Sequence, residues 1–256
     1  MTTCAVIPAR NEARTIGDVV RGALASVDRV IVVDDGSTDG TAAALEGLPV
    51  QLVRNEQAGG KAAALARGFA QAISAQAEWV VSLDGDGQHD PADIPRLLEA
   101  AHAHPAHLVL GARLRQRHRQ PGIRKFANRF ADFFVSWASG QRVPDSQTGF
   151  RVYPRELLEI VHPSTARRHG FVFETAMLID GARRGFPCVA VAIDSVYDDD
   201  ARPSYFKPGK DVWEIFWFVF WRIVLSGLYL PGLWRMLTRP TRHHGSATRE
   251  DHVDAA

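Results

Sequence analysis

The stretch SLDGDGQHDP, residues 82–91, places Asp84 and Asp86 two positions apart, with a glycine on either side of Asp86. Side chains at positions i and i+2 of an extended segment point the same way, so both carboxylates can face one cation. Gln88 follows at the same spacing and adds a neutral oxygen. Hard oxygen ligands of this kind suit Mg²⁺ or Mn²⁺, which bridge phosphate oxygens and keep several waters. The alternative is a simple turn, because Asp and Gly form turns and Asp90-Pro91 is typical of a helix start.

The elements that would position these carboxylates alternate along the first 110 residues. Short apolar runs, predicted as strands, occupy residues 4–8, 29–33, 50–54, 78–83 and 107–111. Between them lie helix-period stretches, among them one that follows Thr15, one at 61–77 and one at 92–104. Strands alternating with helices predict a Rossmann-like α/β fold, a mostly parallel sheet flanked by helices. Ligands bind beyond the carboxyl ends of such strands, where Asp34, Asp35, Asp84 and Asp86 all lie.

Two further turns could contact a nucleotide. VVDDGSTDGT, residues 32–41, offers carboxylates to a base or a ribose, although its residues also form ordinary turns and caps. EQAGGKAAA, residues 56–64, lacks the Walker pattern, but the entry of Gly59-Gly60-Lys61 into a helix can place amides and an ammonium near an anion. A dinucleotide fingerprint is absent from the sequence, which disfavours a dehydrogenase.

The basic segment 111–129 holds seven Lys or Arg and no acidic residue. A solvated loop is the default interpretation, but such a cluster could also bind an anionic substrate, a phosphate or lipid headgroups. The candidate acceptor-phosphate contacts are Arg115, Arg117, Arg119, Arg124 and Lys125. Farther along, Asp145 and Glu174 lie beside glycine and aromatic residues and are candidates for substrate contact or for a general base.

The segment 212–234 carries only Glu214 and Arg222 as charges and includes four tryptophans. As one helix it would run roughly 35 Å, about enough to cross a bilayer. Since Arg222 would be expensive near the middle of a span, we expect an interfacial helix, with a short span or hairpin broken near Gly227 and Pro231 as the alternative. Residues 238–256 are polar and aperiodic and predict a disordered tail.

Composition excludes some functional classes. A net charge of +1 argues against a nucleic-acid binder. Cys4 and Cys188 are too few for a disulfide framework, and each sits in an apolar run, which predicts buried thiols. The apolar stretch near the N-terminus is too short for a signal peptide, so we expect the bulk of the chain to stay in the cytosol.

Taken in order, the motifs of this chain resemble those of a family-2 glycosyltransferase of the GT-A fold. The resemblance spans roughly residues 4–180 and is closest to the branch containing dolichol-phosphate mannose synthases and bacterial polyprenyl-phosphate glycosyltransferases. The stretches that carry it are IPARNEARTI, VVDDGSTDGT, GGKAAALARG, SLDGDGQHDP, GAR, DSQTGFRVY and FVFETAML.

The resemblance implies specific roles for the candidate residues. It assigns the metal to Asp84, Asp86 and Gln88. The implied nucleotide-sugar contacts are Pro8, Arg10, Glu12, Asp34, Asp35, Lys61, Asp84, Gly85 and Arg113. The candidate catalytic residues are Asp86, Glu174, Asp145 and Arg113.

The predicted function is metal-dependent, inverting transfer of a hexose from a UDP- or GDP-sugar to a polyprenyl phosphate at the cytosolic membrane face. Residues 1–205 would form the GT-A domain, and residues 212–234 a membrane-associating helix that could also support a homo-oligomer. One alternative is a glycosyltransferase whose soluble or glycolipid acceptor bears a hydroxyl. The other is a non-catalytic, nucleotide-sugar-binding membrane adaptor, which the intact metal ligands disfavour.

Overall fold

A computed structural model describes residues 2–114, 122–162, 170–194 and 208–245. Within these ranges seven strands form one sheet, in the order β3-β2-β1-β4-β6-β5-β7. The strands are β1 (Thr3–Ala9), β2 (Arg29–Asp34), β3 (Gln51–Arg54), β4 (Trp79–Ser82), β5 (Leu108–Ala112), β6 (Arg151–Pro154) and β7 (Cys188–Ala192). β6 is antiparallel to β4 and β5, and the other neighbouring pairs are parallel. The α/β prediction and the five predicted strands are confirmed.

Helices cover both faces of this sheet. They are α1 (Ile16–Leu24), α2 (Lys61–Ser74), α3 (Ile94–Ala103), α4 (Gly122–Ser139), α5 (Arg155–Ile160), α6 (Gly170–Arg183), α7 (Pro208–Leu225) and α8 (Leu230–Thr238). Because successive strand residues point to opposite faces, β1 feeds two apolar cores. Val6 packs in the core shared with α2, α4, α6 and α7, whereas Ile7 packs in the core shared with α1 and α3. Both cysteines are buried thiols, as predicted.

The C-terminal segment differs from the prediction of a single membrane-associating helix. It forms α7 and α8, which meet at an angle of 101°. Leu228 and Tyr229, between them, have left-handed backbone conformations, and the break falls beside Gly227, where the alternative placed it. Across the described residues no single helix is long and apolar enough to cross a bilayer, and α7 with α8 passes that test of length and composition only as a bent pair.

α7 also serves as a packed element of the domain. Ile215, Val219 and Ile223 are buried in the core. Arg222 donates two hydrogen bonds, of 2.5 and 2.7 Å, to the carboxylate of Asp180 on α6. The charge that makes a span expensive is therefore matched by a carboxylate of the domain.

The chain beyond α8 docks on the outer strand of the sheet. The amide of Ala190 in β7 donates to Arg242 O at 3.0 Å, and the amide of His244 donates to Ala190 O at 2.9 Å. The predicted disordered tail, 238–256, thus has an ordered start, and residues 246–256 lie outside the described residues.

Candidate active site at the carboxyl edge of the sheet

The loops after β1 and β2 are tied together by side chains that accept backbone amides. The amide of Asn11 donates to Ser37 Oγ at 2.9 Å, and the amide of Glu12 donates to Thr41 Oγ1 at 2.8 Å. Asn11 has a φ of 55° and accepts the amide of Thr38 at 2.8 Å. These bonds fix the backbone that carries the predicted nucleotide contacts Pro8, Arg10 and Glu12. The sequence interpretation gave the residues of 32–41 such a turn and capping role as its alternative, but it did not single out Asn11 as their partner.

Asp34 and Asp35 are both buried, and both carboxylates hold backbone. Asp34 accepts the amide of Ser37 at 2.8 Å, and its second oxygen lies 3.4 Å from Arg54 Nε. Asp35 accepts the amides of Gly59 and Gly60 at 2.8 and 2.7 Å. The anion at the entry to α2 is therefore Asp35 itself, and nucleotide contact by either aspartate stays a prediction.

Lys61, the first residue of α2, joins two of the predicted site carboxylates. Its ammonium lies 2.6 Å from Asp84 Oδ1 and 3.2 Å from Glu174 Oε2. Burial alone would raise the pKa of Asp84, but Lys61, His89 and Arg113 hold that pKa below its ordinary value. The structure thus brings together side chains from the loop after β4, from α2 and from α6, three elements far apart in the sequence.

Asp86 follows in the same turn. Its Oδ1 accepts the amide of Gln88 at 3.0 Å. Burial, together with the negative charge of Asp84, raises the pKa of Asp86 to about 6. A carboxylate whose pKa is raised by burial and by a neighbouring carboxylate marks a place where a cation is favoured.

The donor set suits a cation that keeps ligands from outside the protein. No group of three His, Cys, Asp or Glu side chains that could hold a metal is found in the described ranges. Mg²⁺ and similar ions commonly bind through one or two carboxylates plus waters and substrate phosphates. Asp84 and Asp86, with the amide oxygen of Gln88, fit that pattern.

Glu174 is 3% exposed and lies on α6. Its Oε1 is buried and has no hydrogen-bond donor among the described residues. Burial raises the pKa of Glu174, and the opposing effects of Lys61 and Arg151 do not cancel this. A carboxylate so enclosed is well placed to hold Lys61.

Arg151, in β6, organises the backbone beneath these groups. It is fully buried and donates to three carbonyl oxygens: Thr148 O at 2.8 Å, Glu174 O at 2.7 Å and Ser146 O at 2.9 Å. The sequence interpretation missed Arg151, although an arginine inside the apolar-aromatic run GFRVYP was the available signal.

Arg113 and Asp145 form a bidentate pair. Arg113 donates through Nε and one terminal nitrogen, each at 2.7 Å, and through its backbone amide at 3.0 Å. Asp145 has a φ of 52°. These contacts make Asp145 the residue that orients Arg113, while substrate contact or general-base catalysis by Asp145 stays a prediction.

The predicted acceptor cations are described only in part. Arg115, Arg117 and Arg119 lie outside the described residues, as do the side chains of Arg124 and Lys125 at the start of α4.

A comparison against protein families identifies the family of this chain. The model of Glycosyl transferase family 2 matches residues 4–161. The chain belongs to glycosyl transferase family 2.

Named relatives of this family 2 glycosyltransferase act on lipid phosphates. It is 30% identical to the polyprenol monophosphomannose synthase of Mycolicibacterium smegmatis, over 75% of this chain and 76% of that protein. It is also 30% identical to the undecaprenyl-phosphate mannosyltransferase of Micrococcus luteus, over 77% of this chain and 84% of that protein.

A solved structure supports the fold. Glucosyl-3-phosphoglycerate synthase from Mycobacterium tuberculosis, in complex with Mn²⁺, uridine diphosphate and glucosyl-3-phosphoglycerate, superposes with a TM-score of 0.67. The match covers 86% of this chain and 79% of that one at 22% identity. The predicted family and the GT-A-like architecture are therefore confirmed.

Proposed function

We propose that this family 2 glycosyltransferase transfers a hexose from a UDP- or GDP-sugar to a polyprenyl phosphate at the cytosolic face of a membrane. An acceptor phosphate oxygen attacks the anomeric carbon, the bond from that carbon to the diphosphate breaks, and the nucleoside diphosphate leaves with inversion. The observation that carries the choice of acceptor is the enclosed ion pair of Glu174 with Lys61, 3.2 Å apart. The names of the two lipid-phosphate relatives support the same choice.

The donor half of the reaction is assigned to the edge formed by β4 and β5. Asp84, Asp86 and Gln88 would hold a divalent cation, which when bound neutralises charge on the departing diphosphate. Arg113, held in place by Asp145, adds a fixed guanidinium on the same side. A bidentate arginine is suited to phosphate oxygens, because its planar fork presents several donors at once.

The acceptor half needs cations more than it needs a base. A phosphate monoester has a second pKa near 6, so at neutral pH it is mostly a dianion and can attack without losing a proton. A hydroxyl acceptor would instead require a carboxylate within hydrogen-bonding reach. Glu174 is 3% exposed and already contacts an ammonium, which disfavours that role. We assign orientation of the acceptor phosphate to Arg115, Arg117, Arg119, Arg124 and Lys125.

Membrane association is supported by an exposed apolar surface. Of the twelve large hydrophobic residues that are exposed in the described ranges, ten lie on α4, α7, α8 and the turn before α8. Trp213, Trp217 and Trp221 recur every four residues and therefore share one face of α7. Residues 215–245 contain four arginines and no acidic residue, which favours an anionic lipid surface.

The acceptor is tested by incubating the protein and polyprenyl-phosphate vesicles with a panel of labelled UDP- and GDP-sugars, followed by lipid extraction. We expect label in the lipid fraction from one donor, lost in chelator. Neutralising Arg115 and Arg117 should reduce acceptor use more than donor binding. Two results together would contradict the phosphate acceptor: Glu174→Gln abolishes transfer while both substrates still bind, and the wild-type rate decreases at pH values below the pKa of a carboxylate. The acceptor would then be a molecule that bears a hydroxyl.

Membrane docking is tested by vesicle flotation with phosphatidylglycerol-containing liposomes. Replacing Trp213, Trp217 and Trp221 with serine should weaken binding by about tenfold or more, since this removes three of the ten exposed apolar side chains that would enter the lipid. Leu52→Ser, an exposed apolar residue on β3, is the matched control and should bind like wild type. Equal flotation of wild type and both variants would contradict membrane docking through this surface. In a separate accessibility experiment, a C-terminal tag that is reachable only from the far side of the membrane would establish a span.

A further inference from the structure

Lys61 is paired with Asp84, one of the predicted metal ligands. Its ammonium is 2.6 Å from Asp84 Oδ1, within direct ion-pair distance. On the other side of that carboxylate, a Cβ on Gly149 would lie 2.7 Å from Asp84 Oδ2 and 3.0 Å from Lys61 Nζ. The backbone of Gly149 therefore lies against both the ammonium and the carboxylate, and a cation that approaches Asp84 meets Lys61 at the same carboxylate.

We propose that Lys61 is a built-in counter-ion that occupies Asp84 until a nucleoside diphosphate arrives, so that the enzyme binds metal tightly only together with its donor. The inference rests on the metal-dependent donor binding of the proposed function and deepens it. It assigns Lys61 a positioning role on a predicted metal ligand, in addition to its predicted contact with the donor.

The charges around Lys61 explain why it holds this place. Asp84, Asp86 and Glu174 put three carboxylates in one partly buried region. Among the described residues, Lys61 is the cation within ion-pair distance of both Asp84 and Glu174. An uncompensated buried charge is costly, so the protein without a metal needs this ammonium.

The same geometry gives Lys61 a way to leave Asp84. Lysine carries its charge on a flexible four-carbon stem, so the ammonium can move without a change in the backbone of α2. Glu174 Oε2 remains as a second partner 3.2 Å away. A diphosphate at this edge would supply a stronger anion for the ammonium and free Asp84 for the metal, which makes diphosphate and metal binding mutually supportive.

The test is a titration with Mn²⁺ alone, followed by the electron paramagnetic resonance signal of free Mn²⁺, on wild type, Lys61→Met and Lys61→Gln. We expect both variants to bind Mn²⁺ about tenfold or more tightly than wild type, because they leave Asp84 unpaired. Arg67→Met, which removes an exposed cation from the same helix, should match wild type. Adding Asp84→Asn to Lys61→Met should abolish the gain.

A second measurement covers the case in which a variant folds poorly. Thermal unfolding in chelator should show Lys61→Met and Lys61→Gln destabilised, with Mn²⁺ restoring more stability to them than it adds to wild type. Lys61→Arg, which keeps a cation, should behave like wild type. Equal Mn²⁺ affinity and equal Mn²⁺-induced stabilisation in wild type and the neutral variants would overturn the counter-ion role. Absence of Mn²⁺ binding in wild type even with UDP and GDP would instead reject metal-dependent donor binding itself.

Discussion

Gly149 lies before β6, where its backbone passes the ends of two site side chains. Its carbonyl accepts a hydrogen bond from Ser82 Oγ at 2.8 Å, so the strand holds this backbone in place. A Cβ added here would meet Asp84 Oδ2 at 2.7 Å and Lys61 Nζ at 3.0 Å. Gly149→Ala therefore perturbs the position of Asp84 more than it perturbs the fold.

The size of the effect follows from these distances. The distance between the added Cβ and Asp84 Oδ2 must increase from 2.7 Å to 3.4 Å, where ordinary contact begins, so Asp84 Oδ2 must shift by about 0.7 Å. The atoms that must move are the ends of side chains, so we expect a stability cost below about 1 kcal/mol. A misplacement on the order of 1 Å at a reacting site can cost about 100-fold in rate. We expect a loss of about that size in transfer and in metal-dependent nucleotide binding.

Gly68→Ala is the matched comparison, because its Cβ would lie 2.3 Å from Val6 Cγ1 in the core between α2 and β1. Overpacking there should cost about 1–3 kcal/mol of stability. Calorimetric titration with UDP or GDP in Mn²⁺, together with chemical denaturation, separates the two effects. The close approach at Gly149 would be irrelevant to function if Gly149→Ala kept nucleotide binding and turnover within about threefold of wild type.

Two further predictions concern charges. Because the pKa of Asp86 is raised to about 6 in the folded protein, its contribution to stability is full below its ordinary value and is lost as pH rises through about 6. Asp86→Asn should therefore stabilise the metal-free protein by about 1–3 kcal/mol at pH 7.5 and by little at pH 4, as measured by urea denaturation. It should also abolish Mn²⁺-dependent nucleotide binding. An equal gain in the free energy of unfolding over wild type at both pH values would contradict this prediction. Asp180→Asn removes the partner of Arg222 between α6 and α7 and should cost about 1–3 kcal/mol, whereas Asp18→Asn, which breaks an exposed pair with Arg21, should cost less than about 0.5 kcal/mol.

The strands that carry the site could be predicted because each is a short apolar run that ends in a polar turn. β6 could not be predicted in the same way. Its four residues, Arg151–Pro154, are buried but begin with a charged side chain. What makes them a strand is pairing with β4 and β5 in the antiparallel direction, a long-range contact that has no period in the sequence.

The ion pairs of the site were out of reach for a related reason. Lys61 and Glu174 are more than a hundred positions apart, and Arg113 and Asp145 are separated by 32. Sequence motifs supplied both members of each pair as candidates but gave no distance between them. Residue type therefore predicted membership of the site, while the partner of each charge required the packing of α2, α6 and the strands.

The C-terminal segment shows the same limit for helices. Its composition suggests one long apolar helix, because hydropathy does not register a left-handed turn at Leu228 and Tyr229. Neither residue favours that conformation, so the packing around the turn must stabilise it. Gly227 and Pro231 were the local signals, and they placed the break correctly.

The turn and the metal site proposed for residues 82–91 do not compete. Asp86 accepts the amide of Gln88, Thr15 Oγ1 donates to Gly85 O at 2.7 Å, and Asp90 caps the following turn by accepting the amide of Ala92 at 2.9 Å. These bonds fix the backbone that carries the carboxylates before any ligand binds. Asp84 makes none of the turn's hydrogen bonds in this set and instead holds Lys61. The turn thus accounts for the rigidity of the stretch. A turn alone does not require three carboxylates, Asp84, Asp86 and Glu174, to lie close to one ammonium, and their mutual repulsion costs stability. A donor site that binds a cation would explain this arrangement.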